Sequence, residues 1–162
     1  MASPNKVEKL ILLDASGYPK KDEKGSLGFK LAAIPVLNQI LKHVSPKSLV
    51  KKSLEDAFYN KSLVSETMVE QYHNMLLREG NRAAILELFQ HPMKPDATRI
   101  KNITQPTLII WGKEDQLISY QNASLFKQDI RNSRMLVLDK VGHIPMEEAP
   151  VEVADAILKF IK

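Results

Sequence analysis

Thr107-Leu108-Ile109-Ile110-Trp111 is apolar at successive positions from Leu108 onward, so a strand built from it presents hydrophobic side chains on both of its faces. Such a strand belongs to a parallel sheet, because the crossovers that join parallel strands lay helices over both faces. Two further runs share the pattern: Val7 to Leu13, ending in Leu10-Ile11-Leu12-Leu13, and Arg134-Met135-Leu136-Val137-Leu138. Each run gives way to a polar loop containing glycine.

Amphipathic helices separate the last two strands and follow the third. Ser119 is a suitable N-cap for a helix whose apolar residues Ala123, Phe126 and Ile130 recur at spacings of three and four. Pro150 opens a second helix, with Val151, Ala154, Ile157, Leu158 and Ile161 assigned to its apolar face. Strand, helix, strand, helix is the signature of an α/β unit. The expected fold class is α/β, a partial parallel sheet of about three strands with flanking helices.

Between Tyr18 and about Ala97 the period changes. Leu27, Leu31, Ile34, Leu37, Leu41 and Val44 form one helical stripe, with a kink expected at Pro35. Met68, Val69, Tyr72, Met75 and Leu76 form a second, and Ile85, Leu88 and Phe89 a third. An all-helical insert between sheet strands is expected to lie as a cap over the strands' carboxyl ends. The organisation is thus residues 1–17 as a core strand and the lead into the cap, 18–97 as a helical cap, and 98–162 as core strands and helices.

Composition excludes several function classes. The chain has 162 residues, 44% of them apolar, and a net charge of +4 that is spread along its length, which gives little footing for nucleic acid. It has no cysteine, hence neither a thiolate nucleophile nor a thiolate metal site. His43, His73 and His91 lack carboxylate or cysteine partners at metal spacing, so neither a metal nor a cofactor is expected. The amino terminus is too polar for a secretory signal, and no apolar run approaches the roughly 20 residues that span a bilayer. A cytoplasmic protein without membrane association is the expectation.

Two loops carry chemistry. The strand Thr107 to Trp111 stops at Gly112 and is followed by Lys113-Glu114-Asp115; the next strand is followed by Val141-Gly142-His143-Ile144-Pro145, with Glu148 and Pro150 leading into the last helix. Ligands of open α/β sheets gather at the carboxyl ends of strands, which puts Asp115 and His143 on the functional edge. A carboxylate beside an imidazole holds the ring in one tautomer and stabilises the imidazolium formed when the other nitrogen takes a proton. The same residue types also serve as turn and capping residues, and spacing alone leaves both readings open.

The wording of the motifs goes further. Trp111-Gly112-x-x-Asp115, then Gly142-His143-x-Pro145 with His143 28 residues after Asp115, is similar to the end of α/β-hydrolase fold proteins. Leu10-Ile11-Leu12-Leu13-Asp14-Ala15-Ser16-Gly17-Tyr18-Pro19 resembles the sixth sheet strand and the start of the cap in members related to carbon–carbon bond hydrolases, esterases, epoxide hydrolases and haloalkane dehalogenases. The resemblance implies that Asp115 is the triad acid and His143 the base. Asp14 is the reserve acid, since some members place the acid after that earlier strand.

It also implies a hydrolase acting on a small ester, carbonyl or related small-molecule substrate, with no cofactor. The family's nucleophile elbow, G-x-S-x-G, is not found. Met1 to Pro4 look like the last turn of the helix that would follow it. Gly25-Ser26-Leu27-Gly28 echoes the elbow, but Lys24 stands where its first glycine should be, and a long polar loop replaces the tight turn. Ser26 is read as a helix N-cap, Ser16 is no better placed, and no nucleophile is assigned within the chain. The alternative reading is an inactive, truncated cap-plus-core module with weak ligand binding. Either way the strand from Val7 to Leu13 should lie at an exposed sheet edge, where a second copy of the chain is the expected partner.

Overall fold

A computed structural model describes residues 4–19, 34, 44–90 and 96–162. Within them three parallel strands, β1 (Leu10–Leu13), β2 (Thr107–Gly112) and β3 (Ser133–Leu138), form one sheet in the order β1-β2-β3. Leu10 pairs with Thr107 and Leu13 with Ile110, while Thr107 pairs with Ser133 and Gly112 with Leu138. The central strand is the one with the unbroken apolar run Leu108 to Trp111, and every residue of β2 is buried.

Alternation along β2 divides the core into two layers. Ile109 and Trp111 pack with Ala123, Phe126 and Ile130 of the segment containing α4 (Gln121–Asp129), together with Ile100. Leu108 and Ile110 point the other way, against Val153, Ala156, Ile157 and Phe160 of α6 (Pro150–Ile161). Completely buried side chains such as Ile109 and Trp111 each contribute about 1.5–3 kcal/mol or more by leaving water.

Between β1 and β2 the described chain is helical: α1 (Lys47–Ala57), α2 (Glu66–Leu77) and α3 (Asn81–Gln90). Ser65 caps α2 by accepting from Met68 N–H at 3.1 Å. Val50, Leu54, Ala57, Phe58, Val64 and Val69 form a third core cluster with Leu117, and Ile118 and Ile144 pack against it. The cluster therefore sits over the loops that leave β2 and β3. The short helix α5 (Pro145–Glu148) precedes α6.

Several sequence expectations need correction. The first strand begins at Leu10 rather than Val7, because ladder pairing to β2 starts there. Ser119 stands one residue before the N-cap of α4, which is Tyr120, although its hydroxyl still accepts from Gln121 N–H at 3.3 Å. Among the described side chains of α3 Leu86 is buried, while Ile85 and Leu88 are exposed; the side chain of Phe89 lies outside the described residues.

The last helix is turned from its assigned face. Val153 is buried, whereas Val151, Leu158 and Ile161 face solvent, Val151 being 76% exposed. This helix is apolar on most of its circumference, so periodicity offers two stripes, and contact with Leu108 and Ile110 selects one of them. The stripe through Leu27, Leu31, Leu37 and Leu41, the kink at Pro35, and His43, His91 and Ser26 lie outside the described residues; Ile34 and Val44 are exposed.

The strand β1 is hydrogen-bonded on one side only among the described residues, and its four residues are half-buried where those of β2 are fully buried. No described helix is long and apolar enough to cross a membrane.

Candidate active site

The carboxyl ends of the three strands bring Asp14, Asp115 and His143 together, each offering an oxygen or nitrogen within 4.8 Å of the others. Asp115 sits in the loop after β2 and its carboxylate is fully buried. Its Oδ1 accepts from the backbone N–H groups of Leu117 at 2.8 Å and Ile118 at 2.9 Å, and its Oδ2 lies 2.8 Å from Nδ1 of His143. A carboxylate already holding two backbone N–H groups serves the ring as an acceptor, which puts the imidazole hydrogen on Nδ1 and leaves Nε2 as the basic nitrogen. The His143 side chain keeps 26% of its surface exposed.

Both loops are shaped by close backbone approach. A Cβ on Gly112 would fall 1.9 Å from the carbonyl oxygen of Gly142, and one on Gly142 would fall 2.3 Å from the carbonyl oxygen of Ala57. Only glycine lets the Asp115 and His143 loops touch each other and the end of α1. His143 N–H donates to Ala57 C=O at 2.7 Å, and Glu114 N–H donates to Val141 C=O at 3.0 Å. Trp111 packs under the acid loop and donates from Nε1 to Ile118 C=O at 3.2 Å.

Glu148 is a contributor whose role the sequence did not reveal. Its Oε1 accepts from Gly142 N–H at 2.6 Å, while Oε2 accepts from Tyr59 and Asn60 N–H at 3.0 and 3.1 Å. One carboxylate thus joins the histidine loop to the chain after α1. The available signal was a carboxylate five residues beyond the histidine at the end of a one-turn helix, which does not say what it accepts from.

Asp14 lies beside the pair without bonding to the ring. Its backbone continues the ladder, N–H to Ile110 C=O at 3.1 Å, and then turns with φ at +41°. Its Oδ1 accepts from Gly112 N–H at 2.9 Å, and its buried Oδ2 has no hydrogen-bond partner among the described residues. Burial, opposed by the Gly112 bond and reinforced by Asp115 and Glu148, raises its pKa from 3.8 to about 9.

These three groups have the composition of a small cation site. Nδ1 of His143 and Oδ2 of Asp115 are in direct contact, an arrangement suited to proton transfer. His73 is elsewhere, with Nε2 against Ser45 C=O at 2.8 Å. Ser16 is exposed.

The family pattern described as alpha/beta hydrolase fold matches residues 3–150. The chain is 28% identical over 165 residues to the uncharacterized hydrolase YugF of Bacillus subtilis (strain 168), covering 100% of this chain and 59% of that protein. It is 42% identical over 65 residues to Lipase 1 of Psychrobacter immobilis, covering 38% of this chain and 20% of the lipase. Among solved structures, a meta-cleavage product hydrolase from Pseudomonas fluorescens IP01 superposes with a TM-score of 0.71 at 18% identity, covering 98% of this chain and 58% of that one. The chain thus spans a little over half the length of the Bacillus relative and of this structural neighbour. A parallel sheet with helices on both faces, strand-end loops carrying Asp115 and His143, and a family match over most of the sequence make this chain a member of the α/β hydrolase fold family.

Proposed function

We propose that the chain is the carboxy-terminal portion of a hydrolase acting on a small ester, carbonyl or related substrate through a nucleophile-His-Asp triad, with the nucleophile contributed from outside these 162 residues. The observation that carries this reading is the 2.8 Å contact of His143 Nδ1 with a buried Asp115 carboxylate that two backbone N–H groups hold in place. In the proposed reaction Nε2 takes the proton of the attacking hydroxyl while Asp115 stabilises the imidazolium. The proton then passes to the leaving group, and water, activated in the same way, releases the covalent intermediate. Apolar residues in the loops that carry Asp115 and His143, namely Leu117, Ile118 and Ile144, favour a substrate with a hydrocarbon portion. The similarity to a bacterial lipase supports the same substrate class. The helical segment α1 to α3 acts as the cap in this reading.

The test is a graft in which residues 1–162 replace the matching part of the Bacillus relative, assayed on short-chain p-nitrophenyl esters. Turnover that His143→Ala abolishes supports the proposal; a folded graft without turnover counts against it. Treatment of the 162-residue chain itself with a fluorophosphonate, read by intact mass, addresses the nucleophile. A stoichiometric adduct lost in His143→Ala would assign the nucleophile to a serine of this chain, Ser26 being the first to map.

A second reading is an inactive module with weak ligand binding. An inert graft that still binds an ester analogue would select it. In either reading we propose that a second copy of the chain covers the edge of β1 that is unpaired among the described residues, with the solvent-facing Val151, Leu158 and Ile161 of α6 adding apolar surface to the contact.

A further inference from the structure

Asp14 is left over by the triad reading, since His143 has its carboxylate in Asp115. Yet Asp14 is only 4% exposed, stands within 4.8 Å of both partners, and is held in a left-handed backbone conformation at φ +41°. Non-glycine residues occupy that region at a cost, and Asp and Asn are the ones that do so most readily. A strained residue beside a candidate site invites the question of what its side chain does there.

The hydrogen bonds define the chemical state of the carboxyl group. Its Oδ1 accepts from Gly112 N–H, so that oxygen has carbonyl character. Its Oδ2 is buried and, among the described residues, receives no hydrogen bond. Among the described residues the charged groups facing it are the Asp115 and Glu148 carboxylates, with the His143 ring completing the cluster. Two carboxylates packed this closely out of water cannot both be ionised without a large penalty, so the cluster retains a proton. Asp115 has two backbone N–H groups and the imidazole to hold its charge, whereas Asp14 has one N–H. The proton therefore belongs to Asp14.

We propose that Asp14 is a positioning residue that works as a neutral acid, carrying a proton on Oδ2 that is directed at the Asp115 carboxylate, so that His143 faces one negative charge instead of two. The inference deepens the acid–base reading of Asp115 and His143 and rests on it for its consequence. An imidazole beside a doubly charged cluster would hold its proton too firmly to return it to a leaving group. A carboxylate that accepts from a neutral acid stays singly charged and fixed in orientation, leaving the base able to take up and release a proton.

The experiment is carboxyl-carbon and imidazole-nitrogen NMR on the 162-residue chain across a pH titration, with Asp14→Asn and Asp14→Gly as variants. Both replacements tolerate a positive φ, so they remove the acid without removing the turn. The expected result is one carboxyl resonance at its protonated position through neutral pH that is missing from both variants. The His143 titration midpoint should be unchanged in Asp14→Asn, whose amide still donates, and shifted upward in Asp14→Gly. An Asp14 carboxyl that ionises in the ordinary aspartate range would overturn the proposal, as would identical His143 midpoints in all three proteins. These readouts need no turnover, so an inactive graft with a protonated Asp14 would sink the hydrolase reading alone.

Discussion

The Nδ1 of His143 and the Oδ2 of Asp115 meet at 2.8 Å although 28 residues separate them, and the loops that carry them are in backbone contact through Gly112 and Gly142. That contact makes the pair sensitive to groups which never touch it.

Asp115→Asn keeps an oxygen for the N–H groups of Leu117 and Ile118 but turns an NH₂ toward the ring. His143 should then switch tautomer and carry its hydrogen on Nε2, where it can no longer accept a proton. Nitrogen NMR of the imidazole reads the switch directly. In the ester-hydrolysing graft, kcat should fall by roughly 10⁴, the size of the effect where the same change has been made in a serine protease triad.

Gly142→Ala places a methyl group 2.3 Å from the Ala57 carbonyl oxygen, where backbone and not a yielding side chain must move. A loss of about 2–4 kcal/mol in urea unfolding is expected, on the scale of severe overpacking. A variant as stable as the parent would mean that the loop does not lie against α1.

Glu148→Gln retains one oxygen acceptor but loses the charge shared by three backbone N–H groups. Hydrogen exchange at Gly142, Tyr59 and Asn60 should accelerate together, with roughly 1–3 kcal/mol of stability lost. Faster exchange at Gly142 alone would show that Glu148 does not join the two segments.

The raised pKa of Asp14 fixes the sign of one pH effect. Between 3.8 and about 9 the unfolded chain has released this proton while the folded chain keeps it. Stability contributed by this group therefore declines as pH rises through that window, by at most about 1.4 kcal/mol per pH unit for one proton. Asp14→Asn lacks the proton, so its advantage over the parent should grow from pH 5 to pH 8 in parallel unfolding curves. A constant difference would mean that Asp14 ionises alike in both states.

The β1 edge and the outer face of α6 should associate at high concentration. Light scattering should report a dimer that Leu158→Glu weakens, since that position is exposed in the single chain and the change costs the fold little. A strictly monomeric parent would remove the proposed contact.

Much of this was legible in one dimension. The unbroken apolar run from Leu108 to Trp111 required a strand covered on both sides, and the loops after it and after Leu138 carried the Asp and His that the sheet places side by side. Those features are local, set by side-chain period and by where a strand must end. The face of α6 was not local: with apolar residues around most of the helix, only contact with Leu108 and Ile110 distinguishes Val153 from Val151. Nor could sequence tell that Glu148 accepts from Tyr59 and Asn60, or that Asp14 lies buried near Asp115 with no donor for its second oxygen among the described residues. Those relationships join residues 88 to 101 positions apart. They depend on how sheet and helices pack, because desolvation and charge proximity exist only once the chain has brought such groups together.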